Sequence, residues 1–380
     1  MKYFFPLFIS LFLSFPLFSQ EEDFSTVEAP QQEELKPFSL EADYFYGTIL
    51  EHNPDISHLI TGHPTGFILS YNRKTYGFNE WERRYRFPDW GFTVAYQNMH
   101  NEFLGENIGV YGHYNWYFYN RHLVIRLGQG IAYAEKPYDA ETNYQNNAYG
   151  SRFLSTTFLK MNYVRENVWR GFGFHAGFGI IHYSNANFRA PNNSTNTFAF
   201  NAGISYQVDH EKFPEYNKTP DSLSSTHAER VKYNFVFRAG LNESDVIGQG
   251  QYPFYVASVF ADKRINYKST LQAGVDVYFS NFLKELIYYR SVAYSELGLS
   301  GDEDYKRVGV FVGHELRFNR VAFVSQLGYY VYYPFEFENR VYNRLGLKRY
   351  FFNDQFFAAA TVHAHWAKAE AVEFSVGIRL

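Results

Sequence analysis

Alternation with a period of two dominates the chain. From Leu123, the positions Leu123, Ile125, Leu127, Gln129, Ile131 and Tyr133 alternate with Val124, Arg126, Gly128, Gly130 and Ala132. From Leu271, an apolar set (Leu271, Ala273, Val275, Val277, Phe279) alternates with Gln272, Gly274, Asp276 and Tyr278. The final stretch sets Val372, Phe374, Val376, Ile378 and Leu380 against Glu373, Ser375, Gly377 and Arg379. Successive side chains of a strand point to opposite faces, so each stretch reads as a strand with one apolar face. Such segments run roughly 10 to 14 residues, long for a soluble sandwich and suited to crossing a bilayer at a tilt. Their other faces mix Gly, Gln, Asp and Arg, as a wet lumen would. A soluble β-sandwich also alternates and is the competing reading. The pattern predicts an all-β, antiparallel transmembrane β-barrel of about 12–16 strands.

The punctuation fits that reading. Short polar turns at Tyr119–His122 and Arg165–Asn167 alternate with longer connections such as Lys136–Gly150. With the N-terminus in the periplasm, the short turns belong inside and the long loops outside. Residues 209–230 form a long polar connection on the inner side, after about eight strands in a barrel of this kind. It could join two sub-barrels, but a single barrel over 38–380 with one large periplasmic turn is the simpler expectation. A chain ending on the last apolar residue of an alternating strand resembles the terminal signal of outer-membrane barrels.

The opening residues 1–20 carry one Lys, a short apolar run broken by Pro6 and Pro16, and then small and polar residues. This is the pattern of a cleaved secretory signal peptide, with the cut expected near Ser19 or Gln20. Residues 21–37, acidic and Gln-rich, read as a flexible lead-in. Beyond them no apolar run approaches the roughly 18 residues of a spanning helix. Aromatic residues make up 21% of the chain while mean hydropathy is negative, −0.37, a combination that suits strands apolar on one side with aromatic girdles at both interfaces. A net charge of −4 argues against a nucleic-acid partner, and the absence of cysteine excludes disulfides, a thiolate nucleophile and a Cys-based metal site.

Chemistry concentrates in residues 169–207. The even positions Phe172, Phe174, Ala176, Phe178 and Ile180 form an apolar stripe that His182 and Ser184 extend. On the returning strand Asn196 begins a second stripe with Phe198, Phe200, Ala202 and Ile204. A hydroxyl, an imidazole and a carboxamide thus share one outward surface. Residues i and i+2 of a strand lie roughly 7 Å apart, which suits a serine and its base, while a third group fixes the base's tautomer. The competing reading is a polar strand end at headgroup level.

The run HYSNANFRAPNNSTN, His182 to Asn196, resembles the signature of PagL-type lipid A deacylases, outer-membrane barrels that hydrolyse an ester-linked acyl chain of lipid A. The resemblance implies His182 as general base, Ser184 as nucleophile, Asn192 as support for the oxyanion and Asn185 as an assistant there. The family's acidic residue is replaced by Asn196, which can orient the imidazole but brings no charge to it. The segments 88–98, 340–351 and 363–377 resemble the longer relatives known as acyloxyacyl hydrolases. Residues 38–208 then correspond to the compact deacylase and 231–380 are additional strands. The resemblance implies a bacterial outer-membrane esterase acting on lipid A or lipopolysaccharide, with no cofactor, and a homodimer by analogy with the compact relatives. A phospholipid esterase and a non-catalytic channel or surface scaffold are the alternatives.

Other clusters read more simply. His363 and His365, at i and i+2, point into the lumen, where a polar network with residues such as Glu315 or Lys368 competes with metal binding. Arg83, Arg84 and Arg86 read as a solvated periplasmic turn. His58, His63 and Lys74 are placed near the outer rim, either facing lipid A phosphates or as ordinary loop residues. No Gly-rich phosphate loop, HExxH or GxSxG motif is present.

Overall fold

The computed structural model describes residues 37–212, 214–217 and 229–380, so the signal peptide and most of the lead-in lie outside the described residues. Period-two alternation becomes strands throughout. The first eight are β1 (Phe38–Ile49), β2 (Thr65–Arg73), β3 (Asp89–Asn98), β4 (Glu106–Phe118), β5 (Leu123–Ala134), β6 (Phe153–Trp169), β7 (Phe172–Ser184) and β8 (Thr195–Gln207). The second eight are β9 (Lys232–Asn242), β10 (Tyr252–Arg264), β11 (Ser269–Ser280), β12 (Lys306–Phe318), β13 (Val321–Tyr332), β14 (Val341–Phe351), β15 (Phe356–His365) and β16 (Lys368–Arg379). Helices occupy connections: α1 (Glu80–Arg84) follows β2 and α2 (Asn281–Ala293) follows β11. No described helix is long and apolar enough to cross a membrane.

The strands close two barrels, and the expectation of a single barrel is corrected. β8 returns to β1, with Ser39 opposite Gln207 and Ile49 opposite Thr197. β16 returns to β9, with Phe374 opposite Ala239 and Arg379 opposite Asn234. Leu380 and Tyr233 exchange two backbone hydrogen bonds of 2.9 Å at that seam. The connection at 209–230 is therefore the link between barrels. Eight strands enclose a bore just wide enough for side chains to fill, whereas sixteen in one ring would leave an aqueous channel. Here large inward side chains are buried in both bores, Arg126 and Tyr111 in the first and Arg307, Arg344 and Tyr342 in the second.

In the first barrel, Asp43 accepts from Lys160 at 2.9 Å and meets His175 at 2.8 Å, while Arg126 pairs with Glu41 at 2.7 Å. Nearer the β7–β8 loop the interior turns apolar around Phe45, Ile68, Phe158 and Ile181. In the second, Arg344 bridges Glu373 at 2.5 Å and Asp276 at 2.9 Å, and donates to Tyr278 at 2.9 Å. Lys348 pairs with Glu315 at 2.6 Å and Arg379 with Asp262 at 2.8 Å. The outward positions are exposed and apolar, as on Phe172, Phe174, Phe178 and Ile180 of β7.

Two further details depart from the sequence reading. The turn expected at 165–167 lies at Arg170–Gly171, because β6 continues to Trp169 through an irregularity after Arg165. Arg170 and Gly171 have φ of 48° and 87°, the paired left-handed geometry that a two-residue hairpin needs to match strand twist. A Cβ on Gly171 would meet the Gln207 carbonyl oxygen at 2.9 Å. Lys74 sits at the opposite end from the long loops, because β2 runs from Thr65 at the long-loop end to Arg73 at the other. It is buried there between Glu166 at 2.6 Å and Asp89 at 3.5 Å. Arg83 and Arg84 do lie on α1 at this same end.

Breaking the interior network should be costly. Arg344→Met leaves buried Asp276 and Glu373 without the cation that hydrogen-bonds both and is expected to destabilise the second barrel by about 3–5 kcal/mol. Heat-modifiability on a detergent gel reads this as a lower temperature for loss of the folded band; an unshifted transition counts against the network.

Candidate functional site

The hairpin β7–β8 places the candidate residues. His182 and Asn196 are direct partners across it, both on the outward face, so the imidazole and carboxamide meet by register. His182 Nδ1 lies 2.7 Å from Asn196 Oδ1. An amide oxygen only accepts, so Nδ1 carries the proton and Nε2 is left as the basic nitrogen. Ser184 ends β7 on the same face as His182 and is buried beneath the loop that follows it.

That loop wraps the serine. Ser184 Oγ donates to Asn192 Oδ1 at 3.1 Å, and the Asn185 N–H donates to the same oxygen at 2.9 Å. The Ala186 N–H donates to Ser184 Oγ at 3.0 Å. Asn192 thus presents its oxygen to the serine, while its NH₂ donates to Asn187 Oδ1 at 3.1 Å. Asn185 contributes through its backbone; its side-chain NH₂ donates to the Arg189 carbonyl at 2.5 Å. Among the described residues no hydrogen bond joins Ser184 to His182, so the hydroxyl in this state is held by Asn192. His52 supports the approach to β8, with Nε2 at 3.1 Å from both the Asn193 carbonyl and Ser194 Oγ.

Residues 65–205 match the family model described as lipid A 3-O-deacylase (PagL), and residues 231–380 match the model described as acyloxyacyl hydrolase, C-terminal domain. The chain belongs to the PagL family of acyloxyacyl hydrolases. The family's activity is hydrolysis of an ester on lipid A, and family and fold together point to the bacterial outer membrane. No curated protein matches the sequence. Among solved structures, two mutant forms of the Rh. blastica porin are similar at 10% identity over 90% of this chain and 100% of the porin, with a TM-score of 0.19. CdiB from Acinetobacter baumannii is similar at 9% identity over 91% of this chain and 60% of its own, with a TM-score of 0.18. At those scores the likeness carries no argument.

Sequence reasoning missed a polar patch beside the family motif. Ser155 stands opposite Ser184 and Thr157 opposite His182 on β6, both on the outward face. Gln129 of β5 links them, donating to Ser155 at 3.1 Å and accepting from Thr157 at 2.5 Å. The available signal was Gln129 itself, a polar residue interrupting an apolar stripe.

The other candidates resolve into structural roles. His58 and His63 lie in the β1–β2 connection at the site end, bound to the carbonyls of Gln145 at 2.8 Å and Gly47 at 3.2 Å. His363 and His365 do point into the second lumen, but their carboxylate partner is Glu370, 3.8 Å and 3.0 Å away, and not Glu315 or Lys368. Those two residues serve Lys348 and the Asp245–Glu338 pair respectively. Glu370 is already engaged by Arg307 at 2.5 and 2.8 Å, so a cation there would have to displace a guanidinium.

The Nδ1–Asn196 bond makes a spectroscopic prediction. At a pH where His182 is neutral, nitrogen NMR should find Nδ1 protonated and Nε2 bare, with Asn196→Ala giving a mixture of tautomers. A wild-type imidazole protonated on Nε2 would contradict the geometry.

Proposed function

We propose that the protein is a serine esterase that removes an ester-linked acyl chain from lipid A at the lipid-facing wall of its first barrel, in the outer leaflet. The observation that carries this reading is the outward placement of His182, Asn196 and Ser184 at the long-loop end of one hairpin. A site that opens onto the apolar wall meets a membrane lipid before it meets any solute.

In the proposed reaction Ser184 turns from Asn192 Oδ1 toward His182 Nε2, which takes its proton as Oγ attacks the ester carbonyl. Charge then develops on the former carbonyl oxygen. The Ala186 N–H and the Asn192 NH₂, once its carboxamide turns, are the donors nearest to stabilise it. His182 returns the proton to the departing sugar alkoxide, leaving an acyl-serine. Water, deprotonated by the same Nε2, attacks that ester; the fatty acid leaves and Ser184 regains its proton. Asn196 holds the Nδ1–H throughout but contributes no negative charge to the imidazolium. A carboxylate in its place would make a charge-assisted bond, roughly twice as strong as a neutral one.

The non-catalytic channel reading is disfavoured by side chains that fill both bores. A phospholipid substrate would engage the same serine and is separated by product analysis. Refolded wild type incubated with lipid A should lose one hydroxyacyl chain by mass spectrometry, while Ser184→Ala leaves lipid A intact. Asn196→Glu should raise kcat about tenfold, corresponding to roughly 1.4 kcal/mol of added transition-state stabilisation. Unchanged lipid A with wild type would reject this substrate.

A further inference from the structure

The loop bearing Ala186 and Asn187 is held from outside its own barrel. Both residues have left-handed φ, 51° and 57°, although neither is glycine. Such a conformation costs roughly 1–2 kcal/mol per residue and persists only where the surroundings over-determine it. Here the surroundings come from the β9–β10 connection of the second barrel. The Glu243 N–H donates to the Asn187 carbonyl at 2.9 Å, and Glu243 Oε2 accepts from the Ala190 N–H at 3.0 Å. Gln251 Nε2 donates to the Phe188 carbonyl at 2.6 Å. Asn187 Nδ2 reaches Asp245 Oδ1 at 3.4 Å, and Asp245 is itself held by Lys368 at 2.6 Å.

Glu243 is an expensive way to make this contact. Its side chain is buried, and among the described residues no cation pairs with it. Its second oxygen accepts from the Gly250 N–H at 2.9 Å, so one carboxylate pins both loops through backbone donors. A buried carboxylate satisfied only by two amides is poor value as a stabiliser. It makes sense as a fixed acceptor that sets geometry. From the clamped Asn187, Oδ1 takes the NH₂ of Asn192 at 3.1 Å, and Asn192 Oδ1 takes Ser184 Oγ at 3.1 Å.

We propose that the second barrel is a positioning part of the active site, with Glu243 the positioning residue whose carboxylate, on the Ala190 N–H, and backbone N–H, on the Asn187 carbonyl, fix the loop that presents the Ala186 N–H to Ser184. This rests on the reading of Ser184 as nucleophile and of the Ala186 N–H as an oxyanion donor. Removing an oxyanion donor costs about 100- to 1000-fold, so loosening the residue that holds it should cost less, about 10- to 100-fold. The loss should fall on kcat, because the geometry matters where charge develops, away from the acyl chain's binding surface.

The test uses the full chain, refolded, with heat-modifiability confirming both barrels in every variant. Glu243→Ala should lower kcat for lipid A about 10- to 100-fold with KM within about twofold. Glu243→Gln keeps one carbonyl acceptor and should recover most of that loss. Asn187→Gly keeps both the left-handed backbone and the carbonyl that Glu243 holds, so it should lower kcat less than Glu243→Ala does. The rate at which a fluorophosphonate labels Ser184 should fall in parallel, a readout that does not need lipid A. Equal kcat in wild type, Glu243→Ala and Glu243→Gln, or a loss confined to KM, overturns the inference while leaving the esterase intact. If Glu243→Ala does not fold, Gln251→Ala, which removes the donor to the Phe188 carbonyl, carries the same comparison. A wild type that labels but does not cleave lipid A rejects the substrate and keeps the inference if the variants label more slowly. A wild type inert to both overturns the two together.

Discussion

In hydrocarbon an unpaired backbone N–H or C=O has no water to turn to, so a wall of strands must close on itself. The rest of the molecule follows from where it closes. β8 meets β1 and β16 meets β9, so the chain forms two narrow rings in place of one wide one. A narrow ring has no room for a water column. Its inward positions become a solid of tyrosine, arginine and carboxylate, in which Arg344 between Asp276 and Glu373 is the densest knot. With the bore filled, chemistry has to sit on the outside or in the loops, and the proposed site lies where the outer wall meets the loops.

The outward site has a consequence for how its parts are held. A strand fixes His182 and Asn196 by register, because they are cross-strand partners. It cannot fix residues 185–194, which leave the sheet. Ser184 lies at the junction, its hydroxyl held by a loop residue and its backbone by β7. Such a loop needs a brace, and the neighbouring barrel supplies one through Glu243 and Gln251. At the opposite end the barrels also touch, with the Phe318 ring 4.6 Å from Tyr85 and 5.0 Å from Tyr114. Two contacts far apart along the strands resist rocking better than one.

What the sequence made legible was whatever is encoded locally. The faces of β5, β11 and β16 can be read from residues two apart, and the grouping of His182, Ser184, Asn192 and Asn196 from one hairpin. What it concealed depends on distant pairing. Whether β1 accepts β8 or β16 leaves no mark in an alternating pattern, so two rings and one ring look alike. Lys74 lies at the rim opposite His58 and His63 because β2 carries the chain across the barrel between them, a strand whose span the short stretch around it does not reveal. Ser155 and Thr157 join the site only through the β6–β7 register, and Glu243 only through the packing of one barrel on another. Nothing local to those residues distinguishes them.

The central claim is that a serine on the outer wall becomes transiently acylated. Its most direct test is to mix the refolded protein with lipid A, quench in acid within one turnover, and map the peptides by mass. The account predicts one hydroxyacyl chain on the peptide containing Ser184, disappearing at longer times as free fatty acid accumulates, and absent in His182→Ala. Fatty acid released with no adduct at any time, or an adduct on another residue, would contradict it.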